Sequence, residues 1–150
     1  MGARGEGWVI GQFVIGAGIL AASFVTRVEL PLWVRLAGVV LMGLGALIGG
    51  LGILQLGRNL TPFPKPKAEA HTLVRTGIYG LLRHPIYSGL MFGALGWAVW
   101  WESLLSFGLA LVLCVWFEFK SRHEEAWLLE KYPDYAGYRA RVKKFIPFLY

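Results

Sequence analysis

Charged residues and cysteine are scarce in this sequence. Only 16% of its 150 residues are Asp, Glu, Lys or Arg, against about a quarter in an average soluble domain. Cys114 is the single cysteine, which excludes an intrachain disulfide and a metal site built from several cysteines. Because 56% of the chain is hydrophobic, the composition also excludes a disordered chain, a coiled coil and an ordinary cytosolic enzyme. The length indicates one domain, residues 1–150.

Acidic residues are the rarer charge. The sequence has 9 Asp and Glu and 15 Lys and Arg, which gives a formal net charge of +6 at pH 7. In a soluble protein this excess would suggest a nucleic-acid partner, but beside so many apolar residues it favours the anionic face of a membrane. Nucleic acid is therefore not expected as a partner. The histidines have no metal-ligand spacing, so no metal is expected either, and phosphate-cradling and dinucleotide motifs are missing.

Long apolar runs predict four membrane-spanning helices. A helix needs about 20 apolar residues to cross a bilayer, and the runs cover residues 8–25, 34–56, 86–101 and 103–119. The last two are short, and Glu102 and Ser103 leave room only for a tight turn between them, which predicts an antiparallel hairpin. We expect the first run to be a retained helix rather than a signal peptide. The predicted fold class is an all-α, polytopic membrane bundle with C-terminal amphipathic helices.

Basic residues set the expected orientation. The segments 57–85 and 120–150 contain most of the Lys and Arg, so the positive-inside rule places both in the cytoplasm. With four spans, the N-terminus lies there too. The expected localisation is an integral, multi-pass membrane protein with cytoplasmic N- and C-termini.

The positions of glycine and proline predict how two helices pack and which segment is not helical. Gly45 and Gly49, like Gly89 and Gly93, have the Gly-x-x-x-Gly spacing of closely packed membrane helices. Room for a lipid tail between the helices is a compatible alternative. The three prolines within residues 61–67 exclude a helix there, and we expect that segment to run extended along the membrane surface.

The start of the third span is the first candidate site. Pro85 suits the first position of a helix, so free N–H groups near Ile86 would attract an anion at the cytoplasmic mouth. Arg83 and His84 come directly before it, bringing a cation and a titratable ring to the same place. The alternative is that both only anchor the helix end among lipid headgroups.

The exit of the fourth span is the second candidate site. Lys120 and Glu124 share a helix face, and Glu118, Arg122 and Glu125 form a neighbouring group. A solvated, self-paired helix exit is the alternative, although charge at the membrane edge is costly and tends to be functional.

Aromatic and apolar residues then recur at helical spacing from Tyr135 through Tyr138 and Val142 to Phe145. This pattern predicts a basic amphipathic helix, capped by Asp134. It would either lie on the membrane or pack onto the cytoplasmic loop.

Together these segments resemble the isoprenylcysteine carboxyl methyltransferase family, which includes phospholipid N-methyltransferases. The resemblance covers roughly residues 58–148 and is carried by Leu73-Val74, Gly77-Ile78-Tyr79, Arg83-His84-Pro85-Ile86-Tyr87-Ser88-Gly89, Glu124-Glu125-x-x-Leu128, Tyr135-x-x-Tyr138 and Ile146-Pro147. It implies S-adenosylmethionine as methyl donor and S-adenosylhomocysteine as product. It also implies a lipid-like or prenylated acceptor that comes from the bilayer and is methylated on a carboxylate or an amine.

The resemblance assigns site residues as well. The cofactor would contact His71, Thr72, Leu73, Val74, Tyr79, His84, Pro85, Ile86, Tyr87, Glu124 and Glu125. Arg83 and Glu124 are the expected catalytic residues. Where the eukaryotic carboxyl methyltransferases have a substrate-associated arginine, this chain has Lys120, with Arg122 nearby, and both are assigned to the acceptor.

Two other functions stay open at this point. The ending, residues 145–150, is similar to that of membrane sterol reductases, which use NADPH. A non-enzymatic small membrane module would use the same polar motifs only as interfacial anchors.

Overall fold

The computed structural model describes residues 2, 4–25, 27–66 and 72–150. The described residues form five α-helices and, within these ranges, no β-strand: α1 (Glu6–Ala22), α2 (Leu32–Leu56), α3 (Pro85–Trp100), α4 (Leu104–Lys131) and α5 (Tyr135–Arg141). Short 3-10 helices occupy Gly57–Asn59 and Gly77–Gly80. The all-helical prediction is confirmed, and each predicted span overlaps one of the first four helices.

The helices differ in their capacity to cross a membrane. By length and composition, Leu32–Asn59 and Leu104–Lys131 are long and apolar enough, at 28 residues each. The helices α1 and α3 have 17 and 16 residues, which lies at or just below the lower end of the range of about 17–25 for a crossing helix. The outer face of α2 is apolar yet exposed, with Leu54 78% exposed, as expected for a surface that contacts lipid or a partner.

Glycines bring α2 and α3 into backbone contact. A Cβ added at Gly89 would lie 2.6 Å from the carbonyl oxygen of Gly45 and 2.7 Å from the Cα of Gly49. Gly93 also lies at this contact between the two helices, since its backbone nitrogen would be 2.9 Å from a Cβ added at Gly45. The predicted close packing is therefore present, and it fixes the start of α3 against α2.

The predicted hairpin of α3 and α4 is also confirmed. Its turn places Glu102 in the left-handed region, at φ 57°. The Ser103 side chain then caps α4 by accepting from the backbone N–H of Ser106 at 3.2 Å. The hydroxyl of Ser106 donates to the carbonyl of Ile19 at 2.7 Å, which ties α1 to the hairpin.

The predicted amphipathic helix is shorter than expected. The helix α5 ends at Arg141, and Val142 is extended, at φ −102° and ψ 137°. The reason is that the following backbone pairs with the segment before α3: the N–H of Arg83 donates to the carbonyl of Lys143 at 2.8 Å. Tyr135 and Phe145 are buried, so the apolar stripe packs inward rather than on a membrane surface. Residues 142–145 are called the strap below.

The predicted cap of this helix is wrong too. The Asp134 side chain makes no capping hydrogen bond to α5. Its carboxylate instead lies 3.5 Å from a guanidinium nitrogen of Arg75, which links the helix to the loop.

Candidate functional site

A cavity of about 320 Å³ lies where α3 begins and α4 continues past the predicted span. Its volume is within the usual range of small-molecule sites, about 300–1,000 Å³. Its walls also include Gln12 of α1, the end of α2, the proline-rich segment, and Tyr135 and Tyr138 of α5. Segments that are far apart in the sequence thus meet around one space.

Most of the residues predicted from the sequence line this cavity. They are Thr72, Leu73, Val74, Tyr79, Arg83, His84, Ile86, Tyr87, Lys120 and Glu124. Pro85 and Glu125 are buried beside the cavity but do not line it. Arg122 lies apart, with an exposed side chain paired to Glu118 at 2.7 Å, and His71 falls outside the described residues.

The proline-rich segment forms part of the wall. Over the described residues 61–66 it is not helical, as predicted, but it bends rather than running extended. The hydroxyl of Thr61 accepts from the N–H of Phe63 at 3.2 Å, and Pro64 is fully buried. The segment is therefore folded into the protein, and the prediction that it is extended is wrong.

Glu125 connects three elements beneath the cavity. Its carboxylate lies 3.0 Å from both Arg83 Nε and His84 Nε2, and 3.1 Å from Arg139 Nε. A buried carboxylate needs such partners, because burying one unpaired charge costs roughly several kcal/mol. Glu125 does not join Glu118 as the sequence spacing suggested, since it points toward α3 and α5.

Arg83 makes further hydrogen bonds in this arrangement. Besides its ion pair with Glu125, its Nη1 donates to the carbonyl of Arg139 at 2.9 Å and to that of Val142. The guanidinium thus holds α5 and the strap against the cavity. The sequence analysis did not anticipate this positioning contribution.

Glu124 faces the cavity from α4. Its Oε2 accepts a hydrogen bond of 2.6 Å from the hydroxyl of Tyr87, and His84 Nδ1 lies 3.8 Å from the same oxygen. The rings of His84 and Tyr87 are stacked with centroids 5.3 Å apart. The acidic stretch and the start of α3 are therefore one connected set of polar groups.

Lys120 places an ammonium group at the cavity wall. The residue is almost completely buried, and its Nζ donates to Gln12 Oε1 at 2.6 Å and to the carbonyl of Pro62 at 3.4 Å. The Nζ also lies 4.8 Å from the centre of the Tyr87 ring. Burial lowers the pKa of this ammonium to about 8, and the charge of Glu124 partly opposes that shift. The group is therefore mostly protonated at pH 7 and can pair with a bound anion.

The tyrosines of α5 differ in their hydrogen bonds. The hydroxyl of Tyr138 donates to the carbonyl of Tyr79 at 2.6 Å. The hydroxyl of Tyr135 is buried at the cavity and has no hydrogen-bond partner in the part of the chain that the structure describes. Burial raises the pKa of Tyr79, Tyr135 and Tyr138 above its ordinary value, so all three remain neutral hydrogen-bond donors at physiological pH.

Gln12 and the two α5 tyrosines were not predicted as site residues. Gln12 interrupts an apolar run, and a polar residue inside a predicted span is a signal that could have identified it. The tyrosines were assigned to an amphipathic stripe, although the motif Tyr135-x-x-Tyr138 is a signal that could have identified them. Only their packing shows that Tyr135 and Tyr138 turn toward the cavity.

Known proteins resemble the chain across most of its length. The phospholipid methyltransferase family model matches residues 33–135. Protein-S-isoprenylcysteine O-methyltransferase B of Arabidopsis thaliana is 31% identical over 121 residues, which are 78% of this chain and 61% of that protein. The Saccharomyces cerevisiae protein-S-isoprenylcysteine O-methyltransferase is 32% identical over 119 residues, which are 75% of this chain and 48% of that protein. The chain thus spans about half the length of these relatives.

The fold is shared with a solved structure. The eukaryotic intramembrane Ras methyltransferase, isoprenylcysteine carboxyl methyltransferase, superposes with a TM-score of 0.71 over 99% of this chain and 55% of that one, at 22% identity. The family-model match includes both cavity-lining segments, before α3 and along α4, where the motif residues lie. It confirms the resemblance found in the motifs: the chain belongs to the phospholipid methyltransferase family.

Proposed function

We propose that this protein is a membrane methyltransferase that transfers a methyl group from S-adenosylmethionine to a lipid-like or prenylated acceptor. The observation that carries the proposal is the cavity in which the family's motif residues meet a buried, unpaired tyrosine hydroxyl. A buried donor without a partner costs about 1–3 kcal/mol, so its position at a cavity favours a ligand that accepts its hydrogen bond.

The residues present fit S-adenosylmethionine. Glu124 is placed to accept from ribose hydroxyls or from the ammonium group, and Tyr135 is placed to donate to an oxygen of the cofactor. The rings of Tyr79 and Tyr87 provide aromatic faces for the adenine or the sulfonium. When bound, the cofactor supplies a methyl carbon attached to a positively charged sulfur, and S-adenosylhomocysteine is released.

The chain's own contribution to the reaction is positioning and exclusion of water. An acceptor carboxylate needs no base: one oxygen forms a bond to the methyl carbon as the carbon–sulfur bond breaks. The Lys120 ammonium, held by neutral partners, favours such an anionic head group, and the relatives are named for O-methylation. We therefore assign the acceptor carboxylate to the neighbourhood of Lys120 and the cofactor to that of Glu124.

Amine N-methylation is the second candidate, because the matching family model is that of phospholipid methyltransferases. A protonated amine would first have to lose a proton, for which Glu124 and His84 are the nearest candidates. The charge of Lys120 opposes the binding of such a cation.

For the membrane we propose that α1 to α4 all span it, with the loop before α3 and the chain after residue 119 in the cytoplasm. The exposed apolar faces of the helices and the basic residues at the cavity end support this placement. The acceptor's apolar tail would then remain in the bilayer while its head group enters the cavity.

A transfer assay tests the proposed reaction. Membranes containing the protein are incubated with S-adenosylmethionine labelled in the methyl group, and apolar products are extracted. We expect a labelled apolar product that releases its label as methanol in mild alkali, because a carboxylate methyl ester is hydrolysed there.

Membranes that lack the protein are the control for this assay. A labelled product that is stable in alkali would indicate the amine alternative. Equal labelling of both membrane preparations would contradict the proposed methyl transfer.

A further inference from the structure

Residues 146–150, called the apolar turn below, present large hydrophobic side chains to the outside. Phe148 is 87% exposed and Leu149 is 73% exposed, and neither lines the cavity. The turn has a defined shape, since the N–H groups of Phe145 and Ile146 both donate to the carbonyl of Tyr150, at 2.8 and 2.7 Å. Exposure of such a group to water is unfavourable, so an apolar environment is indicated.

Phe148 is directed outward by an unusual backbone. Its φ is 64°, in the left-handed region that residues other than glycine rarely adopt. A strained backbone conformation persists where other interactions compensate for its cost, so the exposed ring of Phe148 indicates a contact outside the chain.

The turn lies beside the predicted ends of two membrane spans. The carbonyl of Phe145 accepts from the hydroxyl of Ser88 at 2.8 Å, and Ser88 is in the first turn of α3. On the other side, Lys144 Nζ lies 2.7 Å from Glu118 Oε2, at the end of the predicted span 103–119. The strap therefore contacts both span ends, and the turn follows directly after it in the chain.

Exposed cations precede the apolar turn in the chain and also lie on α4. Arg141 and Lys143 on the same segment are exposed, and Arg122 of α4 is exposed next to Glu118. Apolar side chains flanked by Lys and Arg are typical of segments that lie in the headgroup layer of an anionic membrane.

The strap links this surface to the candidate site. Its Lys143 and Lys144 carbonyls accept from the N–H groups of Arg83 and His84, at 2.8 and 3.1 Å. An interaction that fixes the position of the apolar turn therefore also restrains the residues at the start of α3.

We propose that the apolar turn is a membrane-interface anchor that inserts Phe148 and Leu149 into the headgroup layer of an anionic leaflet and keeps the strap against the cavity. This inference rests on the membrane placement given under the proposed function. The occupant of the surface is lipid, and the basic residues beside it select negatively charged headgroups.

Spin labels measure the depth of the turn directly. The full chain with Cys114→Ala is reconstituted into vesicles containing anionic lipid, with a label at Phe148→Cys. Val115→Cys, on the exposed face of α4 within its predicted span, and Gly137→Cys, on the exposed side of α5, are the controls. We expect the label at 148 to be reached by oxygen more than by a water-soluble nickel complex, at a depth between those of the two controls.

The outcomes separate the two proposals. If positions 148 and 137 are equally accessible to nickel while 115 is protected, the anchor is refuted and the membrane placement stands. If all three are equally accessible, the placement of α4 in the membrane fails as well. Replacing the anionic lipid by a zwitterionic one should move the label at 148, but not that at 115, toward water; an unchanged depth would overturn the selection of anionic headgroups.

Discussion

At the residue scale, two tyrosines three positions apart give the sharpest contrast. Tyr138 uses its hydroxyl in a hydrogen bond of 2.6 Å to the carbonyl of Tyr79, whereas the buried hydroxyl of Tyr135 has no partner in the described residues. We expect Tyr138→Phe to lower the free energy of unfolding by about 1 kcal/mol, the net value of one hydrogen bond. Tyr135→Phe removes an unpaired group, so it should leave that free energy unchanged or raise it, and weaken binding of S-adenosylmethionine about tenfold, or about 1.4 kcal/mol.

Thermal unfolding and isothermal calorimetry of both variants check this prediction. Unchanged cofactor affinity in Tyr135→Phe would show that its hydroxyl serves no bound ligand. A loss of stability in that variant would show that the hydroxyl has a partner within the protein.

The sequence identified most cavity residues but not all of their functions. The motif around Arg83 and His84 and the acidic pair on α4 were found from residue type and spacing, and the structure brings them together. Spacing could not show that Arg83 is held by Glu125 and backbone carbonyls, because those partners come from α4, α5 and the strap. Gln12 and Tyr135 were missed for the same reason: their neighbours are distant in the sequence.

At the scale of the elements, the glycines between α2 and α3 determine how closely the two helices approach. We expect Gly89→Ala to destabilise the protein by about 1–3 kcal/mol, because the new Cβ would lie 2.6 Å from the backbone oxygen of Gly45. Gly43→Ala is the matched control, since nothing lies within 4 Å of a Cβ at that position of α2. It should be neutral or stabilising by up to about 1 kcal/mol, the gain in helix propensity.

Unfolding in detergent, followed by circular dichroism, distinguishes these two variants. Equal stability of Gly89→Ala and Gly43→Ala would mean that the contact between α2 and α3 is not close.

Apolar periodicity was sufficient to predict the helices but not their ends. The start of α3 at Pro85 and the turn at Glu102 follow from local chemistry that the sequence displays. The end of α5 does not, because the strap leaves the helix to pair with Arg83 and His84. Such a tertiary contact overrides the helical pattern of Tyr138, Val142 and Phe145.

At the scale of the whole molecule, four helices hold two polar segments around one cavity. The segments 72–87 and 120–128 are separated by the hairpin of α3 and α4. They meet because the hairpin returns the chain to the same end of the bundle. We propose that Glu124 and the aromatic rings of the cavity select a sulfonium nucleoside rather than NADPH.

The proposal that the cavity binds S-adenosylmethionine is tested most directly by calorimetry. The binding of S-adenosylmethionine, S-adenosylhomocysteine and NADPH to the purified protein is measured in detergent. We predict that the first two bind and NADPH does not. Glu124→Ala should weaken binding of both about tenfold or more, while Glu130→Ala, an exposed residue of α4 away from the cavity, should not. Binding of NADPH alone, of none of the three, or of S-adenosylmethionine with equal affinity in both variants would contradict the assignment of this cavity.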